Sequence, residues 1–433
     1  MSPPYFINIL ISTFACLLHT KEKNIFYMNT AKERLWNSDY CKVMTANFSL
    51  FFAFYLLTPL LPLYLSENFG ATKDIIGMML SGYTLTALVS RPLSGYLVDT
   101  LPRKKVLMWC FFFFFILFAG YLTASTLLLF TIVRTLHGAP FGSVTVANST
   151  AAIDVLPSSR RNEGIGYFGL SNNIAMAIAP TIGILVYKYT NNFQLLFWLA
   201  LITALFGMIV DGTLKYETAY GKKLNGVSKQ SRKIIQGHHN MSDRFFLTGG
   251  WLLAVNMVFF GFCFGILSNY LAIYGKEVMG VTGGTATYFA LLSVGLIVSR
   301  LQGTKALREG KLTLNAIEGT ILSSVGYVLF VACPNQLGYY GSALFIGLGN
   351  GHIWPAFQNM IISIASHNRR GTANSTILVS WDVGMGVGVL AGGFISERLG
   401  YPIAFWTAAA AQICGTILFF FATKDFYLSR RLE

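Results

Sequence analysis

The chain has 433 residues, of which 12% are charged and 54% are hydrophobic, and its mean hydropathy is +0.55. A soluble domain carries roughly 25% charged residues, so this composition excludes a water-soluble globular protein. The net charge of +14 would indicate a nucleic-acid partner only if the cations formed one continuous patch. The six cysteines lie in apolar segments without a Cys-x-x-Cys spacing, which predicts neither a disulfide framework nor a metal site.

Long apolar segments indicate a multi-pass membrane protein, because a helix needs about 20 mostly apolar residues to cross the hydrocarbon core. The backbone polar groups of such a helix are satisfied internally. In chain order, twelve segments predict transmembrane helices: 43–65, 75–98, 106–124, 126–152, 164–187, 193–213, 245–273, 284–304, 312–333, 338–365, 372–396 and 401–423.

The distribution of Lys and Arg predicts how these helices are oriented, since cations favour cytoplasmic loops. Of the 32 cations, 25 fall in the two termini and in the loops on their side, whereas four fall in the opposite loops. The other three, Arg91, Arg134 and Arg300, lie within predicted spans. The basic charge is therefore an orientation signal that places both termini in the cytoplasm and implies no nucleic-acid partner. We expect a monomer in the inner membrane of a bacterium.

The spans divide the chain into tails, two bundles and a linker. The tails are residues 1–42 and 424–433. Two six-helix bundles occupy 43–213 and 245–423, and a basic cytoplasmic linker, 214–244, joins them.

The start of the chain does not fit this scheme. Residues 5–19 are apolar but too short for a span, and the nearest cations follow them, whereas a signal peptide has its cations first. Met28 begins a stretch that suits a cytoplasmic tail. We therefore expect residues 1–27 to be an upstream extension absent from the working protein, which the intact mass of the native product would test.

The two bundles are predicted to be duplicated, because one gap-free offset of 209 residues superposes four stretches of the sequence. This offset places Arg91 on Arg300 and Asn173 on Asp382. The other matched positions are Ser90 on Ser299, Gly138 on Gly347, Gly142 on Gly351, Arg160 on Arg369 and Arg161 on Arg370. The halves are therefore expected to be related by pseudo-symmetry.

The stretch 95–105, directly after the second span, resembles motif A of the major facilitator superfamily, Gly-x-Leu-x-Asp-x-x-Gly-Arg-Lys. The matching residues are Gly95, Leu97, Asp99, Arg103 and Lys104. Pro102 stands where the family usually has glycine. The resemblance implies that Asp99 accepts hydrogen bonds at the start of the eleventh span, near Gly371, and latches the cytoplasmic gate; a helix amino terminus favours negative charge. The alternative is a topogenic hairpin with solvated charges.

Two further motifs resemble the same family. In the fourth span, Arg134, His137 and Gly138 resemble motif B, Arg-x-x-Gln-Gly, with His137 in the glutamine position. In the fifth span, a stretch similar to the antiporter signature keeps its proline and one glycine but replaces other glycines; its motif residues are Ala179, Pro180 and Gly183. The resemblance implies an all-α membrane fold of twelve helices in two pseudo-symmetric bundles, closest to the drug:proton antiporter branch.

Two charged side chains within the spans are candidates for proton coupling. A cation near mid-span costs about 2.5–3.5 kcal/mol on insertion scales, so Arg134 is expected to face a wet cavity or a partner. Asp382 has small neighbours on its own helix face, and a carboxylate in such a desolvated site prefers its neutral form. The hypothesis is that Asp382 carries the proton and that Arg134 modulates its charge. A static ion pair is the alternative for Asp382, and Glu318 in the ninth span, close to its cytoplasmic end, is the competing carboxylate.

One face of the fourth span and its counterpart in the tenth are predicted to line a central cavity. Arg134, Gly138 and Gly142 share the first face, and Gly347 and Gly351 share the second. The cavity candidates are Asn173, Thr145, Asn350, Trp354 and Gln358. Interhelical packing and hydrogen bonding are the alternative for the last two.

Arg91 and Arg300 lie in the cytoplasmic thirds of the second and eighth spans. Long cationic side chains at such depths can snorkel to the interface. Their repetition favours a common gate or lipid-headgroup role, and anchoring of the topology is the alternative.

The predicted function is proton-coupled secondary active transport of a small molecule by alternating access, with export by antiport as the leading form. Uptake of a metabolite or siderophore-like compound by proton symport is the runner-up, and a non-transporting receptor on the same fold is a third reading. The expected partners are the substrate, protons and the lipid bilayer. The sequence contains no P-loop, paired-histidine metal motif or nucleophile elbow, so we expect no metal, no cofactor and no enzymatic activity.

Overall fold

The computed structural model describes residues 34–58, 60–71, 73–215, 244–280 and 284–432. Within these ranges the regular secondary structure is helical, as predicted. The amino-terminal half contains α1 Ser38–Leu57, α2 Leu61–Phe69, α3 Lys73–Thr100, α4 Arg103–Thr123, α5 Leu127–Val155, α6 Arg161–Thr190 and α7 Phe193–Gly212. The carboxyl-terminal half contains α8 Trp251–Glu277, α9 Thr285–Arg308, α10 Leu312–Ala332, α11 Gln336–Ile364, α12 Arg370–Leu399, α13 Tyr401–Leu418 and α14 Lys424–Arg430.

Twelve of these helices have 18 residues or more, six in each half. In the described ranges, nine helical segments are long and apolar enough to cross a membrane by length and composition. The other three long helices, α3, α9 and α11, fall short of that apolarity. They are the helices that carry Arg91, Arg300 and the polar residues of the tenth span.

The two halves repeat the same helix boundaries. Adding 209 to the bounds of α4, α5 and α6 gives the bounds of α10, α11 and α12. The caps repeat as well: the side chain of Thr126 accepts from the backbone N–H of Leu129 at the start of α5, and Asn335 accepts from Gly338 at the start of α11. Such caps satisfy backbone donors that a helix start leaves unpaired. The predicted fold of two pseudo-symmetric bundles is confirmed.

The structure corrects the ends of the first and last spans. The first helix begins at Ser38, five residues earlier than predicted, because the Asn37 side chain caps it. The same span then breaks into α1 and α2, and a proline in the first turn starts the second piece. The last span continues through a π-helical segment, Phe419–Thr423, into α14, so most of the predicted tail 424–433 is helix. Residues 1–33 and 216–243, with the predicted extension and most of the linker, lie outside the described ranges.

Close helix packing, and not a cavity, explains the matched glycines of α5 and α11. A Cβ at Gly138 would collide with the backbone oxygen of Tyr83 in α3, and one at Gly347 would collide with that of Leu292 in α9. Tyr83 and Leu292 are themselves 209 residues apart. The prediction that this glycine face lines the cavity is therefore wrong, because small residues here let two backbones approach each other.

We expect Gly138→Ala to lower the thermal unfolding midpoint of the purified protein, since overpacking costs typically about 1–3 kcal/mol. The matched control is Gly386→Ala on α12, where an added Cβ meets no atom within 4 Å. That variant should keep or raise the midpoint, because alanine favours a helix over glycine. Equal midpoints for the two variants would contradict the packing account.

Candidate functional site

The two halves meet along two helix pairs, α3 with α12 and α6 with α9. In both pairs the contacts gather at one end of the molecule, where α3 ends and α12 begins. We call this the basic end, because Arg103, Arg160, Arg308 and Arg370 lie there.

The α3–α12 seam is tight near the basic end and opens away from it. A Cβ at Gly95 would sit 2.7 Å from the Cβ of Ser375, which is itself fully buried. Further along, the side chain of Asp382 is 10% exposed. One turn beyond it, a Cβ at Gly386 would meet no atom within 4 Å. Packing around α12 thus loosens past Asp382, and we call the open space beside Gly386, away from the basic end, the crevice.

The Asp99 carboxylate joins the end of α3 to the start of α12. Its Oδ1 accepts from the backbone N–H of Gly371 at 2.8 Å, and its Oδ2 accepts from the N–H and the hydroxyl of Thr372, both at 2.7 Å. A helix amino terminus offers unpaired N–H donors and a favourable dipole to a carboxylate. This is the contact that the motif A resemblance implies. Gly95, one turn earlier, allows the helices to come this close.

Other motif A residues hold neighbouring elements at the same end. Arg103 Nη1 donates to Asp154 Oδ2 at 2.5 Å, and Arg370 Nη1 donates to Asp154 Oδ1 at 3.3 Å. Asp154 therefore bridges an arginine from each half, a role that the sequence analysis missed. Lys104 Nζ donates to the backbone oxygen of Leu214 at 2.7 Å, just beyond α7, where a cation suits the carboxyl-terminal end of a helix.

At the α6–α9 seam the charges are reversed: the longer-range contact joins an arginine at the end of α9 to a carboxylate at the start of α6. Arg308 Nε lies 3.7 Å from Oε2 of Glu163. By the 209-residue offset Arg308 is the counterpart of Asp99, and Glu163 is the counterpart of Thr372. The Arg308 side chain is 56% exposed, so this pair stabilises the closed end less than the buried Asp99 contact does.

Asp382 forms an ion pair with Arg91 across the α3–α12 seam. Arg91 Nη1 bonds to Asp382 Oδ2 and also donates to the backbone oxygen of Leu378 at 3.4 Å. The two charged side chains are each 10% exposed. The structure corrects two expectations here: Arg91 does not snorkel to an interface, and the arginine that meets Asp382 is Arg91, not Arg134.

Arg134 lies inside the amino-terminal half among aromatic rings. Its guanidinium carbon is 3.9 Å from the ring centre of Tyr83, and Nη1 donates to Tyr121 Oη at 3.1 Å. Among the described side chains, no carboxylate lies within 4 Å of it. Cation–π contact with buried rings and the hydrogen bond to Tyr121 therefore stabilise Arg134 in place of an ion pair. His137 completes this cluster, with Nδ1 bonded to Tyr121 Oη at 2.7 Å.

Three of the predicted cavity residues lie near the contact between the two halves. Trp354 packs edge-on against Trp381, with ring centres 5.4 Å apart, beside Asp382. Gln358 Nε2 donates to Asn374 Oδ1 at 2.9 Å. Asn374 of α12 in turn donates to Ser149 of α5 in the other half. Gln358 therefore supports a polar contact that joins the two halves. The third is Asn173 of α6, which is 8% exposed and whose Nδ2 has no hydrogen-bond partner among the described residues.

The other two cavity candidates make local contacts within their own halves. The Thr145 hydroxyl donates to the backbone oxygen of Gly142 at 2.7 Å. Asn350 Oδ1 accepts from the Ser323 hydroxyl at 3.4 Å, between α11 and α10. These contacts are those of helix packing.

The antiporter-like stretch of α6 packs against α1. Ala179 is fully buried, and Pro180 lies inside the helix. A Cβ at Gly183 would collide with the backbone oxygen of Leu56. The retained glycine therefore allows close approach of the two helices.

An open groove of about 390 Å³ lies elsewhere, formed by α4 and α7. Its lining residues are Lys104, Lys105, Met108, Trp109, Phe112 and Met208. It contains none of the residues that join α3 to α12 or α6 to α9, so it is not the crevice described above.

A family model described as Major Facilitator Superfamily matches residues 43–375 and 316–431 of the chain. The chain belongs to the major facilitator superfamily. It is accordingly a multi-pass membrane transporter and not an enzyme, as the sequence predicted. In this superfamily member, the Arg91–Asp382 ion pair and the closed basic end lie on the interface between the two six-helix halves.

Curated relatives extend over most of the chain at low identity. The staphylopine export protein of Staphylococcus aureus is 22% identical over 369 residues, which cover 81% of this chain and 86% of the relative. A Na(+), Li(+), K(+)/H(+) antiporter of Planococcus maritimus is 25% identical over 294 residues, which cover 61% of this chain and 67% of the relative.

Solved structures share the fold of this superfamily member. The human organic anion transporter MFSD10 superposes with a TM-score of 0.72 at 15% identity, covering 88% of this chain and 99% of the neighbour. The transporter FucP in the outward conformation superposes with a TM-score of 0.71 at 15% identity, covering 91% of this chain and 99% of FucP.

Proposed function

We propose that this transporter exports a small molecule in exchange for protons. The name of one relative describes export and that of another describes exchange of cations for protons. The observation that carries the proposal is the Arg91–Asp382 ion pair across the seam between the halves. It lies at the depth where the closed seam gives way to the crevice, so a proton entering the crevice can reach the carboxylate.

Protonation of Asp382 would remove the charge that balances Arg91. A buried charge that loses its partner costs about 3–5 kcal/mol. Since each 1.4 kcal/mol is a factor of ten, this penalty would weaken the closed seam by about a hundredfold to a few thousandfold relative to an arrangement that lets Arg91 reach water. Loading a proton from the open crevice therefore favours separation of α3 from α12 and opening of the basic end.

The return half of the cycle follows from the same pair. With the basic end open, Asp382 faces the opposite aqueous phase and releases its proton there. The restored carboxylate again attracts Arg91, and the seam closes behind a bound substrate. One proton thus moves in the direction opposite to the substrate, and no nucleotide is consumed.

We further propose that the basic end faces the cytoplasm, because Lys and Arg concentrate there. The closed basic end then corresponds to an outward-open conformation, and Asp99 acts as its latch. We propose a monomer in the bacterial inner membrane, since each chain contains both halves of the crevice.

Flux in proteoliposomes tests the exchange without knowledge of protein orientation. Hits from a thermal-shift panel of anionic, neutral and cationic amphipathic compounds would be offered to vesicles with an imposed pH gradient. Antiport accumulates substrate in vesicles with an acidic lumen, because protons leave as substrate enters. Protein-free vesicles correct for passive distribution of weak acids and bases, and a protonophore should abolish the difference.

Accumulation in vesicles with an alkaline lumen would instead show proton symport, the runner-up function. Binding without any flux would indicate a receptor. Either result would overturn the export proposal.

A further inference from the structure

The repeat that relates the two halves places a second arginine at the depth of the ion pair. Arg300 of α9 is the counterpart of Arg91, and Asn173 of α6 is the counterpart of Asp382. The backbone contact is repeated too: Arg91 approaches Leu378, and a Cβ at Gly169, the counterpart of Leu378, would lie 3.0 Å from Arg300 Nη2. The α6–α9 seam thus repeats the arginine and its approach to the opposing helix, with an amide at the position of the carboxylate.

Arg300 is buried without a counter-charge. The residue is 4% exposed, and its Nε and Nη1 have no hydrogen-bond partner among the described residues. Within those residues, no carboxylate lies within 4 Å of it. Burying a charge costs free energy unless a counter-charge or other contacts compensate it, as the aromatic rings and the Tyr121 hydroxyl do for Arg134. Arg91 has such compensation through Asp382, whereas Arg300 does not.

Asn173 adds a further unused donor on the facing helix. It is 8% exposed, and its Nδ2 also lacks a partner among the described residues. A guanidinium presents its N–H groups as a planar fork that matches a carboxylate. The amide N–H of Asn173 can add a donor from the other half. All of these unused groups donate, so their common ligand must be an acceptor with negative charge.

We propose that Arg300 and Asn173 bind an anionic group of the transported molecule, such as a carboxylate, so that the substrate is an organic anion. This inference rests on the proposed transport function, because it identifies the missing ligand with the cargo. The site joins α9 of one half to α6 of the other, as the proton-carrying pair joins α3 to α12. Trp354 and Trp381, which pack against each other beside Asp382, suit an apolar or aromatic remainder of the molecule.

Asn173→Asp tests the site because it installs the carboxylate that Asp382 provides in the other seam. The probe is dansylglycine, with its uncharged amide, dansylglycinamide, as the matched ligand, titrated by fluorescence on the purified full-length protein. We expect the wild type to bind the carboxylate at least about tenfold more tightly than the amide. Asn173→Asp should abolish that preference, because its own carboxylate occupies Arg300. Asn173→Gln, which keeps a neutral amide, should retain it.

Thermal unfolding controls for folding of these variants. Asn173→Asp should keep or raise the midpoint of the wild type, since it pairs a buried cation. Combined with Arg300→Gln, the same substitution should lower the midpoint below that of Arg300→Gln alone, because the new carboxylate then has no partner. Should Asn173→Asp not fold, Arg300→Gln gives the same binding readout by removing the donors.

Equal binding of the two probes by the wild type, no binding of either, or an undiminished preference in Asn173→Asp would overturn the proposal. Binding in detergent needs no proton gradient, so the two proposals fail separately. Selective anion binding without gradient-driven flux would reject proton exchange and keep the anion site. Gradient-driven flux with no anion preference would keep proton exchange and reject the anion site.

Discussion

Asp382→Asn is expected to reduce gradient-driven accumulation to the level of protein-free vesicles while exchange of substrate without a gradient continues. Asparagine cannot bind and release a proton, so the imposed gradient no longer drives the cycle. The substitution also leaves Arg91 buried without a counter-charge, at a cost of about 3–5 kcal/mol. The purified variant should therefore unfold at a lower temperature than the wild type.

Two comparison variants separate coupling from stability. Adding Arg91→Gln to Asp382→Asn removes the unpaired charge and should recover much of the lost midpoint, yet gradient-driven accumulation should stay absent. Asp39→Asn breaks a partly exposed pair with Lys42, 3.3 Å apart, and should change neither quantity. Normal gradient-driven accumulation in Asp382→Asn would remove Asp382 from the coupling mechanism.

Asp99→Asn is expected to open the basic end. The asparagine side chain loses the charge that three donors of Gly371 and Thr372 now share. Hydrogen bonds to a charged group contribute about 1.5–3 kcal/mol each, so losing even one such contribution shifts the balance of open and closed forms about tenfold or more.

Alkylation of a cysteine placed at Ser375 would measure this shift, in a background with the native cysteines replaced by alanine. Ser375 is fully buried against Gly95 in the closed seam, so the new thiol reacts only when the seam opens. We expect the thiol to react at least about tenfold faster with Asp99→Asn than without it, and Asp39→Asn at the same end to have no effect. An unchanged rate would show that the Asp99 contact does not hold the seam closed.

Sequence alone identified much of this molecule because the relevant signals are local. Span length depends on the bilayer and on runs of apolar residues, so apolarity alone identifies nine of the twelve long helices in the described ranges. The repeat could be recognised because duplication preserved spacing, and the bounds of α4, α5 and α6 match those of α10, α11 and α12 with one offset. The partner of Asp99 was also predicted near Gly371, because motif A carries that information.

Side-chain partners between the helices could not be predicted in the same way. The sequence suggested Arg134 for Asp382, although Arg91 is the residue that meets it, from 291 positions away along the chain. The glycines of α5 shared a helix face with Arg134, and those of α11 lay on the equivalent face, but periodicity could not tell a cavity wall from a packed seam. The bridging role of Asp154 could not be predicted either, because it depends on arginines from both halves.

The sequence determined the number of helices, their duplication and the segments that join the halves, because these depend on spacing along the chain and on the thickness of the bilayer. The tertiary structure decided which charges meet, since that depends on how each helix is rotated and displaced against its neighbours. Arg91 and Arg300 look alike in the sequence. Packing of the two halves gives the first a carboxylate and leaves the second facing an amide, because Asp382 and Asn173 occupy the equivalent positions on the opposing helices.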